Sequence, residues 1–87
     1  MSDIPEYQRP TTRIHAQVTG MVRGVRVYRG VTLDIDPTRT DHSFGAHAEV
    51  PQSRVFHRVY NRATRRDEYH VALVVTSSIR VMEASTR

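Results

Sequence analysis

Arg54, Arg58, Arg62 and Arg66 recur at every fourth position, and Arg65 sits beside the last of them. Guanidinium groups in a row do one kind of chemistry well: each donates paired hydrogen bonds to phosphate or carboxylate oxygens. No acid lies between positions 54 and 66 to absorb that charge. On a helix, each like-charge pair four residues apart costs about 0.2–0.5 kcal/mol, and an anionic partner would offset it. These five arginines are therefore the candidate polyanion site. The expected partner is nucleic acid, through its phosphates, or an acidic protein surface. Arg23, Arg26 and Arg29 extend the patch if the fold brings them alongside.

The charge distribution supports that emphasis. Residues 1–53 hold six arginines and six acids, whereas residues 54–87 hold seven arginines against three acids. The whole formal charge of +4 thus belongs to the last third of the chain. Every one of the thirteen basic residues is arginine. A GC-rich genome produces the same bias through codon usage, so composition alone does not separate phosphate recognition from mutational pressure.

Other chemistries find less footing. There is no cysteine, which removes thiol nucleophiles, disulfides and zinc–thiolate sites. No Gly-x-Ser-x-Gly elbow is present, and the serines fall in turns and near chain ends. His47 with Glu49, and Asp34, Asp36, Asp41 with His42, gather imidazole and carboxylate groups that suit divalent ions. They lack the helical His-x-x-x-His or Glu-x-x-His spacing, and acids in a turn are ordinarily solvated. His70, at the head of an apolar run, reads as a structural histidine. The sequence predicts a non-enzymatic protein with no catalytic residue, no metal and no cofactor.

One short stretch, Val18-Thr19-Gly20-Met21-Val22-Arg23-Gly24-Val25, resembles the phosphate-cradling loop of acylphosphatases. That resemblance implies a helix after the loop and an aromatic–arginine pair just beyond it. Arg23 stands where the family has glutamine, and Tyr28-Arg29 arrives one residue late. The segment that follows alternates like a strand. We read these residues as a glycine-containing turn between two strands.

The elements that must position the arginines are mostly strands. Residues 13–19 alternate, with Ile14, Ala16 and Val18 on one face. Gly20 and Gly24 bracket the expected turn. Residues 25–35 alternate again, except that Arg29 falls on the apolar face; with Gly30 beside it, the run reads as one long bent strand. Residues 36–41 form a turn by composition. Residues 43–50 are expected as a third strand with Phe44, Ala46, Ala48 and Val50 inward, ended by Pro51.

Val55, Phe56, Val59, Tyr60 and Ala63 then share one face at 100° per residue, which predicts a helix over residues 53–66 capped by Ser53. Phe56 and Tyr60 would pack it onto Val71, Leu73 or Val75. Residues 69–76 read as a central strand apolar on both faces, and residues 79–82 as a short final strand. The expected fold class is α+β: a small antiparallel sheet in the order β-β-β-α-β, with a further short strand and one amphipathic helix packed on it.

The expected organisation is an extended N-terminal arm over 1–12 with Ile4 and Tyr7 as anchors, one domain over 13–84, and a tail over 85–87. A chain of 87 residues buries only a little more than about 60% of the surface it exposes unfolded. Without covalent staples, association is the expected remedy. That points to a homo-oligomer or a subunit of a larger assembly, such as a phage or virion component or an inhibitor docked on a host protein. No apolar run approaches the ~20 residues of a membrane span, and no signal peptide is visible. The expected protein is soluble and cytoplasmic, or carried within a virus particle, with no membrane partner.

Overall fold

Long alternating runs with β-branched residues on one face dictate extended chain, and strands dominate the molecule. The computed structural model describes residues 5–22 and 25–85. Six strands appear in order: β1 (Thr11–Val22), β2 (Val25–Ile35), β3 (Asp41–Gly45), β4 (Gln52–Asn61), β5 (Arg66–Val75) and β6 (Arg80–Ser85). Three single 3-10 turns, Glu6–Gln8, Pro37–Arg39 and Thr76–Ser78, are the only helical elements among the described residues.

The sheet runs β2-β1-β5-β4-β3, with β6 on β1. Its ends curl together, because Ile35 of β2 also pairs with His57 of β4 and the Asp36 amide donates to the Phe56 carbonyl at 2.9 Å. Strands β1, β2, β4 and β5 thereby close a small ring. Every ladder in it is antiparallel. Inside lie Ile14, Ala16, Ile35, Val55 and Val74, with Val18, Leu33, Ala72 and Ile79 packed around them.

The expected α+β class is corrected: the structure is antiparallel β throughout, with no amphipathic helix among the described residues. The segment expected to be helical, residues 53–66, is most of β4, a four-residue loop and the first residue of β5. All ten residues of β4 pair with β5, from Gln52 against Val75 to Asn61 against Arg66. Two alternating rows run along β4. Ser53 and Val55 point inward and are fully buried; Arg54, Phe56, Arg58 and Tyr60 point outward. Phe56 and Tyr60 therefore pack under no helix. Phe56 lies across the ladder from Val71, and Tyr60 is 58% exposed. The β-branched Val55 and Val59, with aromatics between arginines, favour the pleated surface over a helix.

Further expectations change at Gly20 and in the third strand. Gly20 sits within β1 opposite Val27, so the strand runs on past it to Val22; Gly24 lies outside the described residues. Two strands meet across the acylphosphatase-like stretch, and β2 occupies the place of the helix which that resemblance implies. The third strand ends at Gly45, five residues short of Val50, and Phe44 is 55% exposed where an inward ring was expected.

Strand β2 runs unbroken in register against β1. Arg29 shares the face of Val31 and Leu33 yet is exposed; its ladder partner, Val18, is a partly buried residue packed against the core. Gly30 leaves room for the His15 ring, since a Cβ there would lie 3.0 Å from His15 Nε2.

Candidate functional site

The outward row of β4 is the candidate site, and its positions follow from strand geometry. A period of two places Arg54, Phe56, Arg58 and Tyr60 on one face at about 6.5 Å intervals. Arg62, the first residue of the following loop, continues the same spacing in sequence. The row thus alternates cation and aromatic ring.

The inner end of the row is structural. The Arg39 guanidinium lies 4.4 Å from the Phe56 ring centre and 5.0 Å from that of Tyr69. It donates to Asp36 Oδ2 and to Glu6 Oε1, both at 2.8 Å. Arg9 adds a 3.2 Å bond to the same Asp36 oxygen, and the Tyr69 hydroxyl donates to the Arg9 carbonyl at 2.8 Å. This network straps the N-terminal segment across β5. Burial pushes the Asp36 carboxyl up, but hydrogen bonds from the Thr38 hydroxyl and amide, with Arg39, outweigh it and hold the group below its ordinary range. Burial likewise opposes charge on Arg39, and Glu6 and Asp36 more than restore it. Burial raises the Tyr69 hydroxyl.

Arg54 sits between rings, 5.0 Å from Phe44 and 5.7 Å from Phe56. Its nearest acid, Asp41 Oδ2, is 4.0 Å away, and its buried Nε has no acceptor. Arg58 lies 3.9 Å from Asp34 and 3.8 Å from Asp67, beyond hydrogen-bond reach of either. These two cations balance nearby acids without spending their donors.

The outer end differs. Asn61 Oδ1 accepts from the amides of Ala63 at 2.9 Å and Thr64 at 3.3 Å, and the Arg65 amide donates to the Asn61 carbonyl at 2.8 Å. This turns the chain tightly at residues 62–65 and leaves Arg65 at φ 58°, in the left-handed region. Arg62, Arg65 and Arg66 are exposed. Among the described residues none of the three meets a carboxylate, and Arg66 instead lies 4.8 Å from the Tyr7 ring. Three exposed cations without an ion pair among the described residues therefore collect at the tip of the β4–β5 hairpin, with Glu6, Asp67 and Glu68 in the cavity beside Arg66.

The structure thus splits the predicted set. Arg54 and Arg58 lie along the strand, and Arg62, Arg65 and Arg66 gather at its tip. Arg29 is on the other ribbon and exposed. Arg23 and the Arg26 side chain lie outside the described residues. Sequence reading did not pick out Phe44 and Tyr60, the two exposed rings of this surface. The signal for Tyr60 was present: Arg54, Phe56, Arg58, Tyr60 and Arg62 alternate with period two.

Two other clusters sit off this face. Ser53 Oγ lies 2.8 Å from both His42 Nδ1 and Thr76 Oγ1. Ser53 is fully buried, so no substrate carbonyl reaches its hydroxyl, and the trio ties β3, β4 and the Thr76 turn together. His57 and His70 meet edge-on across β4–β5, with ring centres 6.1 Å apart. Burial, then His70, lowers the His57 pKa, while Asn61 and His70 hold the Glu68 carboxyl low.

Among the described residues no three histidine or acidic side chains converge as a metal site, and no helix is long and apolar enough to cross a membrane. Comparison with known proteins yields no match among family models, curated proteins or solved structures.

Proposed function

We propose that this protein is a non-enzymatic binding module that engages nucleic acid through the β4 face and the β4–β5 hairpin tip. One observation carries the reading: Arg62, Arg65 and Arg66 stand exposed and, among the described residues, without acid partners at the end of a row that already holds Arg54 and Arg58. Polyanions bind where cations are concentrated and unneutralised, by releasing condensed counterions. The tight loop fixes the spacing of these cations before any ligand arrives, which lowers the ordering cost of binding.

The test is a salt titration of nucleic-acid affinity. Three arginines on phosphates predict a log–log slope of roughly −2 on a single strand and nearer −3 on a duplex. Arg62→Glu with Arg65→Glu should abolish binding without unfolding the chain, since both side chains are exposed. Salt-independent affinity, or wild-type binding by that double variant, rejects the proposal.

A second reading, a subunit of a larger assembly, draws on a different observation. Val81 and Met82 on β6 are 71% and 58% exposed, and among the described residues β6 pairs only with β1.

A further inference from the structure

We infer that the β4 face selects single-stranded nucleic acid, with an unpaired base stacking on Tyr60 beside the phosphate contact of Arg62. This rests on the polyanion reading and names the substrate class of the same site.

A surface that served phosphates alone would have no use for exposed aromatic rings among its cations. Tyr60 is 58% exposed on the outward face. Among the described residues no cation lies over its ring, in contrast to Phe56 under Arg39 and Phe44 under Arg54. Its ladder partner is Asp67, which Arg58 offsets from 3.8 Å. An open ring face thus follows a cation that neutralises its acidic neighbour and precedes by two residues a second, Arg62, which has no acid partner among the described residues.

Duplex DNA buries its base faces in the stack and presents phosphates and groove edges, so it would cover the ring with nothing apolar. A single strand presents a π face with every base, and stacking on aromatic side chains is sequence-tolerant for that reason. The second exposed ring, Phe44, is 55% exposed at the other end of the face beside Arg54. Arg54 already lies over that ring, so Tyr60 is the one left open to a base. Phe56, already covered by Arg39, supports the surface without offering a face of its own.

Fluorescence anisotropy with labelled oligothymidylate of twelve nucleotides, an abasic strand of equal length and a duplex separates the elements of this inference. The parent should bind oligothymidylate on the order of tenfold to a hundredfold more tightly than the abasic strand, with quenching of tyrosine emission. Tyr60→Ala should lose that preference and bind both strands alike, whereas Tyr60→Phe should keep it. Circular dichroism should show both variants folded.

Equal affinity of the parent for abasic and base-bearing strands, tighter binding of the duplex, or an undiminished preference in Tyr60→Ala overturns the stacking inference. If salt-sensitive binding persists in those cases, the polyanion reading survives it. If no nucleic acid binds, or if polyglutamate binds in its place, both fall.

Discussion

Arg65 occupies a conformation that L-residues other than asparagine and aspartate rarely adopt. Its φ of 58° brings Cβ against the backbone at a cost of about 1–2 kcal/mol. Glycine is the residue a loop of this shape favours. Arg65→Gly should therefore raise unfolding stability, by about 1 kcal/mol, while weakening nucleic-acid binding. Chemical denaturation and anisotropy on the same variant test both signs, and a loss of stability would show that the arginine side chain supports the loop. Asp36 is the opposite case, a residue placed for stability. Its carboxylate is almost wholly buried and serves Arg9, Thr38 and Arg39 together. Asp36→Asn should cost about 2–3 kcal/mol, as expected when charged hydrogen bonds are lost around a buried group. Because the folded-state pKa is depressed, this stability is present above the unfolded value near 3.8 and disappears as pH falls through the folded one. Melting temperature against pH should drop steeply below about pH 4 in the parent and less steeply in Asp36→Asn. Parallel curves would remove Asp36 from the acid transition.

At the scale of the element, β4 decides how the molecule is understood. The helix and strand readings of its sequence make different demands on Tyr60. A helix would bury the ring against the sheet, so that truncation costs about 3–5 kcal/mol. The strand leaves it outside, so Tyr60→Ala should change stability by no more than about 0.5 kcal/mol, whereas Ile14→Ala, at a position 1% exposed, should cost about 2–5 kcal/mol. Equilibrium unfolding of the two variants checks the pair, and similar losses would contradict the strand. Strands β1 and β2 were legible in sequence because one face is plainly apolar and the other plainly polar. Strand β4 was not, because its outward row mixes aromatics with arginines. Val55, Phe56, Val59 and Tyr60 then mimic a helical stripe, although they belong to two faces. Arg29 misled less, since register against Val18 holds β2 straight past it. The arginines themselves were legible as a cluster. Their division into a paired inner set and an unpaired tip depended on Asp34, Asp41 and Asp67, which only the fold brings near.

For the whole molecule, the question is how so small a ring withstands unfolding. Among the described residues its core cluster holds five buried side chains with four partly buried neighbours, and no disulfide braces it. Domains of this size keep a large share of their surface exposed even when folded. Strands β3 and β6 each pair along one side only, and an open edge carries free amides and carbonyls that invite a further strand. On β6 that edge adjoins exposed apolar surface at Val81 and Met82. The other flank carries Phe44, but Arg54 stacks on that ring and adds a charge that opposes association. Edge pairing of β6 with β6 of a second copy is the more favourable contact, because it buries apolar side chains and satisfies backbone groups together. Sedimentation equilibrium should then show a dimer that dissociates on dilution, with a melting temperature that rises with protein concentration. Val81→Glu should give a monomer, since it places like charges across the two-fold contact at a position 71% exposed. A monomeric parent at every concentration tested, or a Val81→Glu variant that still dimerises, would rule out the β6 edge as the contact.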